Sequence, residues 1–109
     1  MADAVVGRRV LDDGTVVIDL RGELDVAVND ALRDVLVDTI ETRRPPLLVV
    51  NMQHVVFIDS TGMSALIAGY QAARNAGVRY EVQRTAPFIE KQLRATGLYE
   101  LLTRQSEQS

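Results

Sequence analysis

"FIDSTGMSALIAGY", residues 57–70, passes from two apolar residues into a carboxylate, two hydroxyls and a glycine, and then into an apolar rhythm. From Gly62 onward, Met63, Leu66, Ile67, Tyr70 and Ala73 recur at the spacing of one helix face. Before them, residues 47–52 read "LLVVNM", a continuous apolar run that predicts a strand covered on both faces. A short connection containing His54 then leads to Val55, Val56, Phe57 and Ile58. The stretch is therefore the joint between a buried strand and a helix, and Asp59, Ser60, Thr61 and Gly62 occupy the joint itself.

Working outward, "VVGRRVLDDGTVVIDLRG" predicts a hairpin, because Asp12-Asp13-Gly14 between two valine-rich runs suits a turn with positive φ. Val16, Ile18 and Leu20 alternate with Val17, Asp19 and Arg21, so one face is buried and the other partly wet, and Gly22 is expected to break the strand. Apolar residues at Val28, Leu32, Val35, Leu36 and Ile40 predict an amphipathic helix with Asp30, Arg33, Asp34 and Asp38 in water. Pro45 and Pro46 end it, since neither can donate a helical hydrogen bond. After the central helix, Asn75, Ala76 and Gly77 supply a stop. Val78, Tyr80 and Val82 alternate as a strand. Thr85 as N-cap and Pro87 in the first turn open a helix with Phe88, Ile89 and Leu93 on its apolar side, closed by Gly97. "LYELL" is a last short turn or helix, and the polar tail 103–109 is expected to fray. The expectation is an α/β fold: a mixed four- to five-stranded sheet with helices packed largely on one face, in one domain spanning residues 1–109.

A net charge of -3 argues against a nucleic-acid surface, where excess Lys and Arg would have to neutralise phosphates. The chain has no cysteine, which excludes disulfides, thiolate nucleophiles and Cys-type zinc sites. No apolar stretch approaches the roughly 20 residues of a membrane helix. The start "MADAVVGRR" lacks a basic segment followed by an apolar one, so a cytoplasmic protein without a secretory signal is expected. His54 is the single histidine and has no ligand set around it. "DSTG" is not a G-x-S-x-G elbow, and neither a Walker loop nor G-x-G-x-x-G is present, so hydrolase chemistry and ATP binding by those means are not expected. Arg8-Arg9 and Arg43-Arg44 read as solvated ends of elements.

Ser60 has two readings. As structure, a Ser or Asp just before a helix accepts a hydrogen bond from an unpaired backbone N–H. As function, the same helix end presents free N–H groups and positive dipole, which suits an added phosphate. Gly62 would let the backbone turn and leave room for a nucleotide or a partner. Asp25, in "RGELD", is either a solvated or capping carboxylate or a group at the same sheet end as Ser60, since both follow strands and precede helices.

Three stretches, "LRGELDVAVNDALRDVL", "VVNMQHVVFIDSTGMSALI" and "RATGLYELL", together resemble the STAS domain, and more narrowly the bacterial anti-sigma factor antagonists. The resemblance implies a binding protein, not an enzyme, with no cofactor. Its partners would be an anti-sigma factor serine kinase and a serine phosphatase, with neither direct nucleic-acid nor membrane contact. By position it implies Ser60 as phosphoacceptor, with Thr61 the less favoured hydroxyl. Asp25 would be the loop aspartate of a partner surface that also holds Asp59, Ser60, Thr61, Gly62 and Met63. Val28 stands where many relatives carry a capping hydroxyl, so the first helix would shift its start or lean on Asp25 or Asn29. Met63 replaces a commoner leucine of similar volume. The alternative within the resemblance is a non-enzymatic STAS subunit of a lipid-transport or other membrane-associated complex.

Overall fold

Alternation decides which side of each strand meets the helices. In the computed structural model, which describes residues 5–103, the chain runs β1 (Val5–Val10), β2 (Val16–Leu24), α1 (Asn29–Arg43), β3 (Leu47–Ile58), α2 (Ser60–Ala76), β4 (Arg79–Gln83), α3 (Pro87–Ala95) and α4 (Leu98–Thr103). The strands form one sheet in the order β1-β2-β3-β4, antiparallel between β1 and β2 and parallel thereafter. Val16, Ile18 and Leu20 of β2, Leu48, Val50 and Met52 of β3, and Tyr80 and Val82 of β4 share one buried cluster. Leu32, Leu36 and Ile40 of α1, Leu66 and Ala73 of α2, Ile89 and Leu93 of α3, and Leu102 of α4 join the same cluster. All four helices thus bury their apolar sides against one face of a mixed four-stranded sheet.

The other face differs from the expectation that β3 would be covered on both sides. Val17 and Val49 are shielded there but lie outside the core cluster. Beside them Asp19 accepts from Arg9 Nε (2.6 Å) and from Asn51 Nδ2 (2.8 Å). These bonds hold the Asp19 carboxyl below its ordinary value, the Arg9 guanidinium contributing most. Arg8 and Arg9 therefore lie within a strand and not at an element's end, and Arg8 reaches the buried Thr39 of α1 (3.4 Å).

Strand β3 is one continuous element of 12 residues, so the connection expected around His54 is absent. Asp19 pairs with Asn51 but Arg21 with His54, and Gly22 pairs with Val55 but Glu23 with Phe57. Each shift inserts an extra residue into β3, which is a β-bulge. Burial accordingly falls on Met52, Val55 and Ile58, at every third residue, while His54, Val56 and Phe57 face solvent. Gly22 does not end β2 either. Its φ of 92° accommodates the second shift, and pairing continues to Leu24.

Most helix ends follow their local signals. Gly14 turns the hairpin at φ 91° and Gly77 caps α2 at φ 72°. Helix α1 stops at Arg43, before the proline pair, and its N-cap Val28 makes no side-chain cap bond. Helix α3 has Pro87 in its first turn as expected, but its N-cap is Ala86 and not Thr85. Thr103 belongs to α4, its hydroxyl donating to the Tyr99 carbonyl (2.6 Å), and the rest of the tail expected to fray lies outside the described residues.

Tyr80 ties β4 to α2. Its ring is fully buried, its hydroxyl donates to the Leu66 carbonyl at 2.7 Å, and Gly69 gives it room. A Cβ at Gly69 would lie 2.7 Å from the Tyr80 hydroxyl oxygen. Tyr80→Phe is expected to lower stability by about 1 kcal/mol, the net worth of one such bond. Urea unfolding checks this: the midpoint should fall while the slope stays constant.

Candidate functional site

The parallel register sets Leu24 beside Ile58, and the Asp59 N–H donates to the Leu24 carbonyl at 3.2 Å. Both strands stop there, so the loop carrying Asp25 and the turn carrying Ser60 leave the sheet side by side. Strand pairing thus supplies the proximity that sequence spacing left open. No hydrogen bond joins Asp25 to Ser60 among the described residues. Asp25 instead organises its own loop. Its Oδ1 accepts from the Ala27 N–H (3.1 Å), and its carbonyl accepts from Val28 (3.1 Å) and Asn29 (3.0 Å). Helix α1 therefore leans on Asp25 through this turn, in place of a capping hydroxyl.

Asp59, not Ser60, caps α2. Its backbone is extended, with φ -112° and ψ -173°. Its Oδ1 accepts from the N–H of Thr61 (2.9 Å), the N–H of Gly62 (3.1 Å) and the hydroxyl of Thr61 (2.6 Å). These bonds favour the ionised form and lower the Asp59 pKa, the Thr61 hydroxyl contributing most and the Gly62 amide next. Two of the N–H groups that a free helix end would offer an anion are already engaged by this carboxylate.

The two hydroxyls differ in consequence. Thr61 is half-buried and its hydroxyl proton is committed to Asp59. Ser60 is the first residue of α2 and is exposed, and its hydroxyl has no protein partner among the described residues. The Ser60 carbonyl is also engaged, accepting from the Ser64 hydroxyl at 3.0 Å.

Gly62 does not leave the space imagined for a nucleotide or partner. It is buried, and a Cβ there would meet the Leu24 carbonyl oxygen, Leu24 Cβ at 2.9 Å and Ile58 Cγ1 at 3.0 Å. The absent side chain lets the first turn of α2 seat on the end of β2. Met63 is half-buried against the core, and its N–H closes the turn on the Asp59 carbonyl at 3.0 Å.

Around this sheet end stand Glu23, Asp25 and Asp59, and neither residues 22–32 nor residues 51–73 contain a Lys or Arg. Recesses of about 530 Å³ beside Arg8 and Asp38 and about 380 Å³ beside Arg9 and Arg84 are lined by none of Asp25, Asp59, Ser60 or Thr61. Ser60 itself is exposed at this sheet end. Among the described residues no group of three or more metal-ligating side chains occurs, and no helix is long and apolar enough to cross a membrane.

One residue of the site was absent from the sequence reading. Gln92 of α3 donates from Nε2 to the Ile58 carbonyl at 3.2 Å. Its spacing, three residues after Ile89 and one before Leu93, marked it as the rim of a buried face, but nothing local identified its acceptor.

Residues 9–109 match the STAS domain family. An anti-sigma F factor antagonist of Paenibacillus polymyxa is 25% identical over 89 residues, 82% of this chain and 76% of that protein. The structure of the anti-sigma factor antagonist SpoIIAA in its unphosphorylated form superposes with a TM-score of 0.77 at 22% identity, over 87% of this chain and 83% of that one. A sulfate transporter family protein from Wolinella succinogenes gives a TM-score of 0.75 at 27% identity, over 89% and 78% of the two chains.

The cap makes a pH prediction. The folded Asp59 carboxyl has a pKa below its unfolded value, so its contribution is complete above the unfolded pKa and is lost as pH falls through the depressed one. In an NMR titration the Thr61 and Gly62 amides should shift together, with a midpoint below the ordinary 3.8. A midpoint at or above that value would mean the carboxylate is not held as described.

Proposed function

The chain belongs to the STAS domain family, and on that premise we propose that it is an anti-sigma factor antagonist switched by phosphorylation of Ser60. In its unmodified form it docks on an anti-sigma factor serine kinase through the surface of Asp25, Asp59, Ser60, Thr61 and the exposed edge of Met63, displacing a sigma factor. The kinase transfers phosphate to Ser60, the complex separates, and a serine phosphatase resets it. The protein acts in the cytoplasm as a binding module and catalyses nothing itself. Gly62 belongs to this surface only as the residue that seats it.

One observation carries the reading: Ser60 presents an exposed, unengaged hydroxyl at the helix start while the neighbouring Thr61 hydroxyl is locked onto Asp59. A phosphoacceptor oxygen must be reachable, and Ser60 is exposed whereas Thr61 is half-buried with its hydroxyl turned onto Asp59. The Paenibacillus polymyxa relative supports the antagonist role.

The switch follows from charge. Phosphorylation adds about -1.5 to -2 at neutral pH. The helix end expected to absorb it has two of its N–H groups taken by Asp59, so the phosphate projects outward beside a carboxylate. It then confronts whatever negative charge the kinase holds opposite Ser60, the nucleotide phosphates above all. A penalty of about 3–4 kcal/mol weakens binding several hundredfold.

A second reading has the Wolinella succinogenes sulfate transporter family protein on its side. There the same sheet end serves as a non-enzymatic subunit of a lipid-transport or other membrane-associated complex, and Ser60 is unmodified. Affinity capture separates the two, an anti-sigma kinase favouring the first reading and a transporter ATPase the second. With the cognate kinase and ATP, Ser60→Ala should bind as the wild type does and take up no phosphate. Ser60→Asp, with half the charge of a phosphate, should weaken binding roughly tenfold or more, about 1.4 kcal/mol. Mass spectrometry finding phosphate only at other residues would sink the assignment.

A further inference from the structure

We propose that Gln92 is the positioning residue for Ser60, holding from α3 the peptide group from which the switch turn departs; this rests on the reading of Ser60 as phosphoacceptor. The argument begins with an unpaired edge. β4 pairs with β3 only from Leu47 to Asn51, so residues 52–58 of β3 have no strand on that side. A backbone carbonyl on such an edge, at a buried residue, must find another donor or remain unsatisfied. Ile58 is fully buried, and its carbonyl receives the Gln92 side-chain amide at 3.2 Å.

The same peptide group carries the Asp59 N–H, which donates to the Leu24 carbonyl at 3.2 Å. A peptide unit is planar, so bonds at its C=O and its N–H fix its rotation about the chain axis. One end is held by β2, the other by a single side chain of α3. Asp59 leaves this plane to cap α2, and Ser60 is the next residue. The backbone entering Ser60 is thereby referred to two fixed points on different elements. Without Gln92 the carbonyl end of the plane loses its anchor, leaving Leu24 at the N–H and the Asp59 cap beyond it to hold the turn.

Helix α3 is a firm base for this task. Ile89 and Leu93, on either side of Gln92, are fully buried. Arg94, two residues on, bonds Glu90 at 3.0 Å and lies 4.0 Å over the Tyr99 ring of α4. α3 also makes the switch turn answerable to events at a distance. A partner that shifts this helix would reorient Ser60 without touching it.

The test uses Gln92→Leu, which retains the packing volume and removes the donor, with the exposed neighbour variant Lys91→Ala as control. Hydrogen exchange of the Asp59 amide reads the clamp directly and needs no partner. It should quicken about tenfold in Gln92→Leu and stay unchanged in the control. Phosphorylation of Ser60 by the cognate kinase should then show kcat reduced roughly tenfold with KM little altered, because a misaligned acceptor still docks. A fall in thermal stability with wild-type exchange at Asp59, or with wild-type kcat, would reduce Gln92 to a packing residue and overturn the proposal. Should no kinase modify even the wild type, the functional reading falls, and Gln92 loses its role toward Ser60 whatever the exchange shows.

Discussion

A single carboxylate oxygen, Oδ1 of Asp59, gathers three hydrogen bonds, and the arrangement of the sheet end depends on it. By satisfying the amides of Thr61 and Gly62 it lets α2 begin directly at the end of β3, with no connecting loop. By accepting the Thr61 proton it removes one hydroxyl from the surface. By doing the capping itself it relieves Ser60 of that duty. Within "DSTG" the capping therefore falls to the aspartate and not to the serine. The aspartate builds the helix start, and the serine is left available.

The rest of the fold works to bring a second segment to this turn. Parallel pairing carries Leu24 to the level of Ile58, through two bulges in β3, the second at Gly22 of β2 with its positive φ. Gly62 then permits close approach, since any side chain there would collide with Leu24. The surface is assembled from strand ends and a helix start, elements anchored in the core. The two loops hold their relation without a direct bond between Asp25 and Ser60.

Much of this was legible in the order of residues, and the exceptions share a cause. Alternation at Val16, Ile18 and Leu20 gave the buried face of β2, the proline pair and Gly77 gave helix ends, and residues 57–62 marked the joint between β3 and α2 that carries the candidate site. What escaped notice depended on a distant partner. His54 looked like a break because the bulges that turn it outward are defined only against β2. Gly22 looked like a terminator because its positive φ is absorbed by a register shift in the neighbouring strand. Residues 47–52 read as covered on both faces because an apolar run does not reveal that Asn51, on the side away from the helices, bonds Asp19 beside Arg9. Thr85 was one residue early, since Pro87 fixes where α3 starts but leaves its cap to Ala86. Gln92 was unreadable for the same reason: its acceptor lies 34 positions away in sequence.

The buried phenol of Tyr80 has a consequence for how this protein responds to alkali. Burial pushes its pKa upward, so the folded chain holds that proton more tightly than the unfolded chain, whose tyrosines ionise near their usual value of about 10. As pH climbs past that point the unfolded ensemble gains an ionisation denied to the native state, and stability declines. With no tryptophan and three tyrosines in the chain, the phenolate absorbance of Tyr80 can appear only when the core has opened. In base, the ultraviolet spectrum of one side chain becomes the record of unfolding.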